Sequence, residues 1–173
     1  MICEDICSDL VTQATQLVFG AGNPDADIVF IGEAPGKKED ETGLPFVGAS
    51  GRFLNEMLTA ANLNWEDVYI TNIVKYRPPG NRDPSQTEKD EFWPYLMRQL
   101  EIIQPKVVVA LGRHSGMCFI PDLVISRDHG KAQIVGDWLV VPLYHPAVAL
   151  YDGSKRQVLI DDFLKAVSLA KSS

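Results

Sequence analysis

The chain has 173 residues, 46% apolar and 23% charged, a globular balance that excludes a disordered or low-complexity protein. Its 16 Lys and Arg stand against 23 Asp and Glu, and the net charge of −7 excludes coating nucleic acid through a global positive field. No apolar run approaches the ~18 residues of a membrane span, and the acidic start Met1-Ile2-Cys3-Glu4-Asp5 lacks the basic and apolar regions of a signal peptide, so the expectation is one cytoplasmic domain over residues 1–173.

In chain order, Cys3 and Cys7 are read as reduced thiols on a first helix. With Cys118 they are too few for a disulfide framework, and no second pair completes a thiolate metal site. Asp27 to Ile31 is a continuous apolar strand covered on both faces. From Ser50, placed to cap a helix, Phe53, Leu54, Met57, Leu58 and Ala61 recur at helical spacing. Val68 to Thr71 is the next strand, and Asn72 to Pro84, rich in Pro, Gly and Arg, is a loop. Ser85 and Glu88 form a capping box that opens a helix with a Phe92, Leu96, Leu100 and Ile103 stripe, ended by Pro105. Lys106 to Leu111 is the third strand, and Gly112 leads into a short helix around Ser115. Ile134-Val135 and Trp138 to Leu143 form a hairpin around Gly136-Asp137, its second arm the last core strand, and a final helix covers about Lys155 to Ala170. This alternation predicts a three-layer α/β/α sandwich around a mostly parallel four-stranded sheet. Ligands of such sheets bind at the carboxyl ends of the strands, which selects the loops after Ile31, Thr71, Leu111 and Leu143.

Those loops are rich in chemistry. The first, Gly32 to Asp40 and on through Gly43 to Gly51, matches neither a P-loop nor a dinucleotide fingerprint. Its small residues allow close backbone approach to a ligand, and Phe46 is read either as a stacking surface for a planar ring or as a core plug. The second opens on Asn72, whose amide either reads a donor–acceptor edge such as a nucleobase or closes a turn. Lys75, Arg77 and Arg82 follow with no acid among them, either as phosphate contacts or as a solvated loop. In the last, Pro146 fixes the position of His145. His114 and His129 are read either as phosphate contacts or as ordinary surface residues.

Four motifs in this order resemble the uracil-DNA glycosylase superfamily, and most of all its family four: Gly32-Glu33-Ala34-Pro35-Gly36 with Glu39-Asp40; Gly43-Leu44-Pro45-Phe46-Val47-Gly48; Ile70 to Lys75 with Arg77-Pro78-Pro79-Gly80-Asn81-Arg82; and His145-Pro146-Ala147. The resemblance runs from about Leu17 to the last helix. It implies flipping of uracil out of single- or double-stranded DNA and hydrolysis of its N-glycosidic bond. By the same resemblance, His145 donates to the developing O2 anion, Asn72 reads the O4/N3 edge and Phe46 stacks under the ring. The backbone around Glu33, Ala34 and Gly36 holds the base or the water. The third motif residue, an Asp or Asn in the best-known relatives, is Ala34 here, so Glu33 and Glu39 are read either as the candidates for water activation or as helix-cap or loop-bracing carboxylates. Ser50, Lys75, Arg77, Asn81 and Arg82 are expected to contact DNA. So are Pro146, Ala147 and Val148, with Val148 and Leu150 as a wedge.

The family-four resemblance also implies an iron–sulfur cluster on four cysteines, and here the chain departs from it. Tyr76 stands at the third position, Phe92 or a neighbour at the fourth, and the N-terminal pair survives as Cys3 and Cys7 at altered spacing. The expectation is therefore an enzyme without the cluster or any metal, working as a monomer on DNA. Other readings are a glycosylase for hypoxanthine or xanthine, a non-catalytic lesion binder, and an enzyme of free nucleosides. The net charge is reconciled with DNA by a local basic face around Val74 to Arg82, joined by Arg52, Arg113, Lys131, Lys155 and Arg156.

Overall fold

The computed structural model describes residues 6–172, so Cys3 and the acidic start lie outside the described residues. Four strands form a parallel core: β2 (Ile28–Gly32), β3 (Tyr69–Asn72), β4 (Val107–Leu111) and β6 (Trp138–Leu143). Two short antiparallel strands, β1 (Ala21–Gly22) and β5 (Gln133–Val135), extend it to the order β1-β3-β2-β4-β6-β5. Among the described residues the sheet therefore has six strands rather than four. Both additions are edge strands: β5 is the first arm of the expected hairpin, and β1 is too short to leave an apolar pattern.

Helices cover both faces. Side chains alternate across the sheet, so Phe30 of β2 stacks on Phe163 at 5.3 Å while Val29 and Ile31 face the other way. The first face is closed by α3 (Ala49–Ala60) and α8 (Ser154–Ser172), with Phe53, Leu54 and Leu159 in its core. The second face is closed by α4 (Gln86–Ile103) through Phe92, Leu96 and Leu100, joined by Leu10 of α1 (Ser8–Val11). The three-layer sandwich and the Ser85–Glu88 capping box stand as expected. Ser50 does not cap α3: Gly48 holds that position without a side-chain bond, and Ser50 lies in the first turn.

Register aligns the strand ends. Gly32 pairs with Asn72, and Leu111 with Leu143, so the loops after all four core strands open at one edge. Those loops carry α2 (Lys37–Thr42), α5 (Arg113–Phe119) and α7 (Val148–Tyr151), while α6 (Ile125–Asp128) precedes β5.

Candidate active site

At that edge Ala34, Gly36, Glu39, Phe46, Ser50, Asn72 and His145 enclose a cavity of about 180 Å³. Glycine makes the assembly possible. A Cβ on Gly32 would lie 2.4 Å from Asn72 Oδ1 and 2.8 Å from the Phe46 ring, so any side chain there would push both off the cavity. Gly51 in α3 backs onto the Phe46 carbonyl, where a Cβ would sit at 1.5 Å. Phe46 itself holds a left-handed φ of 53°. Its ring is packed into the first core and also lines the cavity, 5.9 Å from the His145 ring at 28°.

The hydrogen bonding of His145 fixes its tautomer. The Ala147 N–H donates to Nδ1 at 3.1 Å, so Nδ1 is an acceptor and Nε2 carries the proton. Burial pushes its pKa down to about 4, so the ring is a neutral N–H donor at pH 7. Gly112, at φ 95°, lets the β4–α5 turn pass close behind it, with a Cβ there only 3.1 Å from that of His145.

Asn72 ends β3, and its backbone is tied from behind. Lys75 is fully buried, and its ammonium donates to the Asn72 carbonyl at 2.7 Å, Thr71 Oγ1 at 2.6 Å and Gln99 Oε1 at 2.6 Å. Gln99 and Thr71 in turn donate to the Phe19 carbonyl. Burial pushes the Lys75 pKa well below the ordinary lysine range, while three acceptors match the three donors of the charged form. This corrects the expectation of a DNA contact: a side chain enclosed this way does not reach a phosphate.

The two carboxylates of the first loop separate. Glu39 sits in α2 and lines the cavity, where its Oε1 accepts the Gly48 N–H at 2.9 Å. Glu33 turns out of the cavity into an adjoining groove of about 640 Å³. There its Oε1 is 3.8 Å from both Lys89 Nζ and His114 Nδ1 and has no hydrogen-bond partner among the described residues, and the carboxyl is raised in pKa by burial, against the opposing pull of its neighbours, Lys89 among them. The other ring nitrogen of His114 is 3.5 Å from Asp83. Glu33, Asp83 and His114 bring ligand atoms within 4.8 Å of one another, but Lys89 already supplies positive charge there.

The groove is also lined by Asn81, Arg82, Arg113, Ala147 and Tyr151, and it shares Ala34, Gly36 and His145 with the cavity. Its basicity is smaller than the sequence suggested. Arg82 is paired with both oxygens of Glu88, whose pKa falls to about 2 mainly through that hydrogen bond, and Arg77 Nε donates to Asn81 Oδ1 at 2.7 Å. Pro146 is buried, and Val148 is half-buried in α7. The exposed residues of α7 are Leu150 at 45% and Tyr151 at 90%, and sequence reasoning missed Tyr151, which left no periodic signal. His129 is not a free surface residue: its Nδ1 lies 2.5 Å from Oδ2 of buried Asp162, and its ring packs on Tyr144. Arg156 pairs with Glu56, and Lys131 lies 3.8 Å from Asp128.

The positions at which family-four relatives are expected to carry cluster ligands do not fit an iron–sulfur cluster. Phe92 is fully buried against Tyr76, with ring centroids 6.0 Å apart. Cys7 is a protonated thiol, its pKa pushed up to about 12 by burial and by Glu91. Cys118, on α5, packs at the edge of the same core as Phe92 and Tyr76, but Cys7 and Cys118 are both free thiols, and among the described residues no set of four thiolates is present.

The model of the uracil DNA glycosylase superfamily matches residues 19–168. The chain is 48% identical to the Type-4 uracil-DNA glycosylase of Archaeoglobus fulgidus over 167 residues, 91% of this chain and 83% of that protein. It is 44% identical to the Type-4 enzyme of Sulfurisphaera tokodaii (90% and 76% covered) and 42% identical to that of Thermotoga maritima (91% and 84%).

Proposed function

We propose that this chain, which belongs to the uracil DNA glycosylase superfamily, flips uracil out of DNA and hydrolyses its N-glycosidic bond, releasing free uracil and leaving an abasic site. One observation carries the reading beyond family membership: Asn72, Phe46, Glu39 and His145, drawn from the ends of three different strands and the loops that follow them, line one small cavity.

The chemistry needs charge stabilisation at two ends. As the bond between C1′ and N1 breaks, its electron pair moves into the base and accumulates on O2, while the sugar becomes cationic. A neutral imidazole is suited to the first end, because its Nε2–H donates to the O2 anion without being consumed as an acid. The Asn72 amide pairs with the O4/N3 edge and rejects cytosine, whose amino group would meet a donor. Phe46 stacks on the ring, and the small residues Ala34 and Gly36 let backbone approach it. Glu39 holds the water that bonds to C1′ and accepts its proton. Of the two candidate carboxylates it is the one that lines the cavity, whereas Glu33 braces the groove. Arg77, Arg113, Asn81 and Arg82 track the phosphates, and Leu150 and Tyr151 fill the gap left in the stack.

On this reading the enzyme works without an iron–sulfur cluster, as a cytoplasmic monomer. Buried aromatic packing of Tyr76 and Phe92 supports the first point; a brown protein with stoichiometric iron would sink it. The activity is tested by incubation with uracil-containing single- and double-stranded oligonucleotides followed by alkali. Strand cleavage at uracil, and at neither hypoxanthine nor xanthine in matched oligonucleotides, is the expected result. Intact strands at uracil refute it.

A further inference from the structure

An apolar groove of about 680 Å³ adjoins the uracil cavity and has no part in the reading above. Leu44, Val47 and Trp65 supply its apolar surface, and Arg52 and Asn55 of α3 supply its polar groups. Leu44 and Val47 are 51% and 37% exposed, so large aliphatic side chains are kept in water beside the site. Trp65 is held in place, because its indole N–H donates to Asn55 Oδ1 at 2.9 Å.

Two features join this groove to the cavity. Phe46 lines both. The first turn of α3 passes from one to the other, with Ser50 in the cavity and Gly51 and Arg52 in the groove. The ligand that arrives one phosphodiester away from a flipped uridine is the neighbouring nucleotide. A nucleobase offers a flat face for an indole, and its linkage offers an anion for Arg52.

We propose that this groove is a second base-binding subsite, which takes the nucleobase next to the flipped uracil on Trp65 and its phosphodiester on Arg52. The proposal rests on the glycosylase reading. It makes the enzyme recognise a splayed dinucleotide rather than a lone base, a mode suited to single-stranded DNA.

The experiment is a substrate-length series. Uracil release is followed by chromatography from deoxyuridine carrying 5′- and 3′-phosphates, then with one thymidine added on the 5′ side or on the 3′ side. In the parent enzyme one of the two additions raises kcat/KM about tenfold or more, the size expected for one base stacked on an aromatic ring. Trp65→Ala removes that increment and leaves kcat/KM on the shortest substrate unchanged. Leu44→Glu, at an exposed position where the fold is not at risk, also removes it by placing an anion in the path of the phosphodiester. No increment in the parent, or an increment kept in Leu44→Glu, overturns the subsite while the glycosylase reading stands. Failure of the parent to release uracil from any substrate, long DNA included, overturns the glycosylase reading itself.

Discussion

Asn72 belongs to two polar environments at once. Behind it, its carbonyl is one of three acceptors around the Lys75 ammonium, in a knot completed by Thr71, Gln99 and the Phe19 carbonyl. In front, its side chain lines a cavity with Phe46, Glu39 and His145. The knot matches donors to acceptors and holds the backbone still. The cavity offers groups fixed from outside it: His145 by the Ala147 N–H, Glu39 by the Gly48 N–H. A site that must recognise charge appearing only during reaction needs this division, since donors preorganised by their surroundings cost no reorganisation when the bond breaks.

Substitutions at the front carry the largest losses of activity. His145→Ala removes the donor to O2, and single-turnover uracil release is expected to fall by about 10²–10³. Asn72→Ala is expected to lose at least about tenfold. Both variants keep the parent Tm within a few degrees, because the supporting knot uses the backbone of Asn72 and not its amide. An undiminished single-turnover rate in His145→Ala removes that residue from the mechanism.

At the back the order of effects reverses. Lys75→Met strips three buried acceptors of their donor, at about 3 kcal/mol of stability, read as a shift in the urea midpoint. Uracil release falls by a smaller factor, because Asn72 loses its tether but not its amide. If Lys75 acted on DNA, the variant would instead show parent stability and a flatter salt dependence of binding.

The back of the site was the part hidden from the sequence. Asn72 and His145 were legible because each lies at or just past the end of an apolar strand, and Phe46 because it lies in a motif of the first loop; strands covered on both faces leave unbroken runs such as Ile28 to Ile31 and Val107 to Leu111. Lys75 stands with Arg77 and Arg82 in a basic segment, and nothing local separates it from them. Its partner Gln99 is 24 residues away on α4, and the Phe19 carbonyl that completes the knot belongs to a segment before β1. The helix α2 was likewise invisible, since Lys37-Lys38-Glu39-Asp40-Glu41-Thr42 has no apolar stripe. It is anchored instead by buried Asp40, which accepts from the Thr15 N–H and hydroxyl, and so turns Glu39 toward the cavity. The motif residues could be named from sequence, but their division between cavity, groove and support follows from contacts distant in the chain.

The two carboxylates divide in the same way at a smaller scale. Glu39→Gln keeps the shape of the cavity wall and removes the proton acceptor, so kcat is expected to fall at least about tenfold. Glu33→Gln alters a group on the groove beside Lys89 and His114, with an expected loss of less than about threefold in kcat, by the low worth of a long and partly solvated ion pair. The reverse ranking would move the water to the groove side of Ala34.

The smallest effect is a pH dependence that should be missing. A histidine of ordinary pKa near 6.5 acting as a neutral donor would lose activity as pH falls from 8 to 6. Burial holds His145 neutral down to about pH 4, so kcat should change less than about twofold across that range. The cost appears in stability instead. The unfolded chain binds a proton at this histidine below about pH 6.5, while the folded chain does not until about pH 4. This contribution therefore makes the fold less stable as pH falls through that window, and it is absent above it. Replacement of His145 by Gln keeps a donor that cannot titrate. Comparing the urea midpoints of the parent and His145→Gln between pH 7 and 4.5 isolates the term: the parent should lose more stability than the variant. Equal slopes would mean that His145 takes up its proton in the folded enzyme as it does in the unfolded chain, near pH 6.5, and that burial does not hold it neutral.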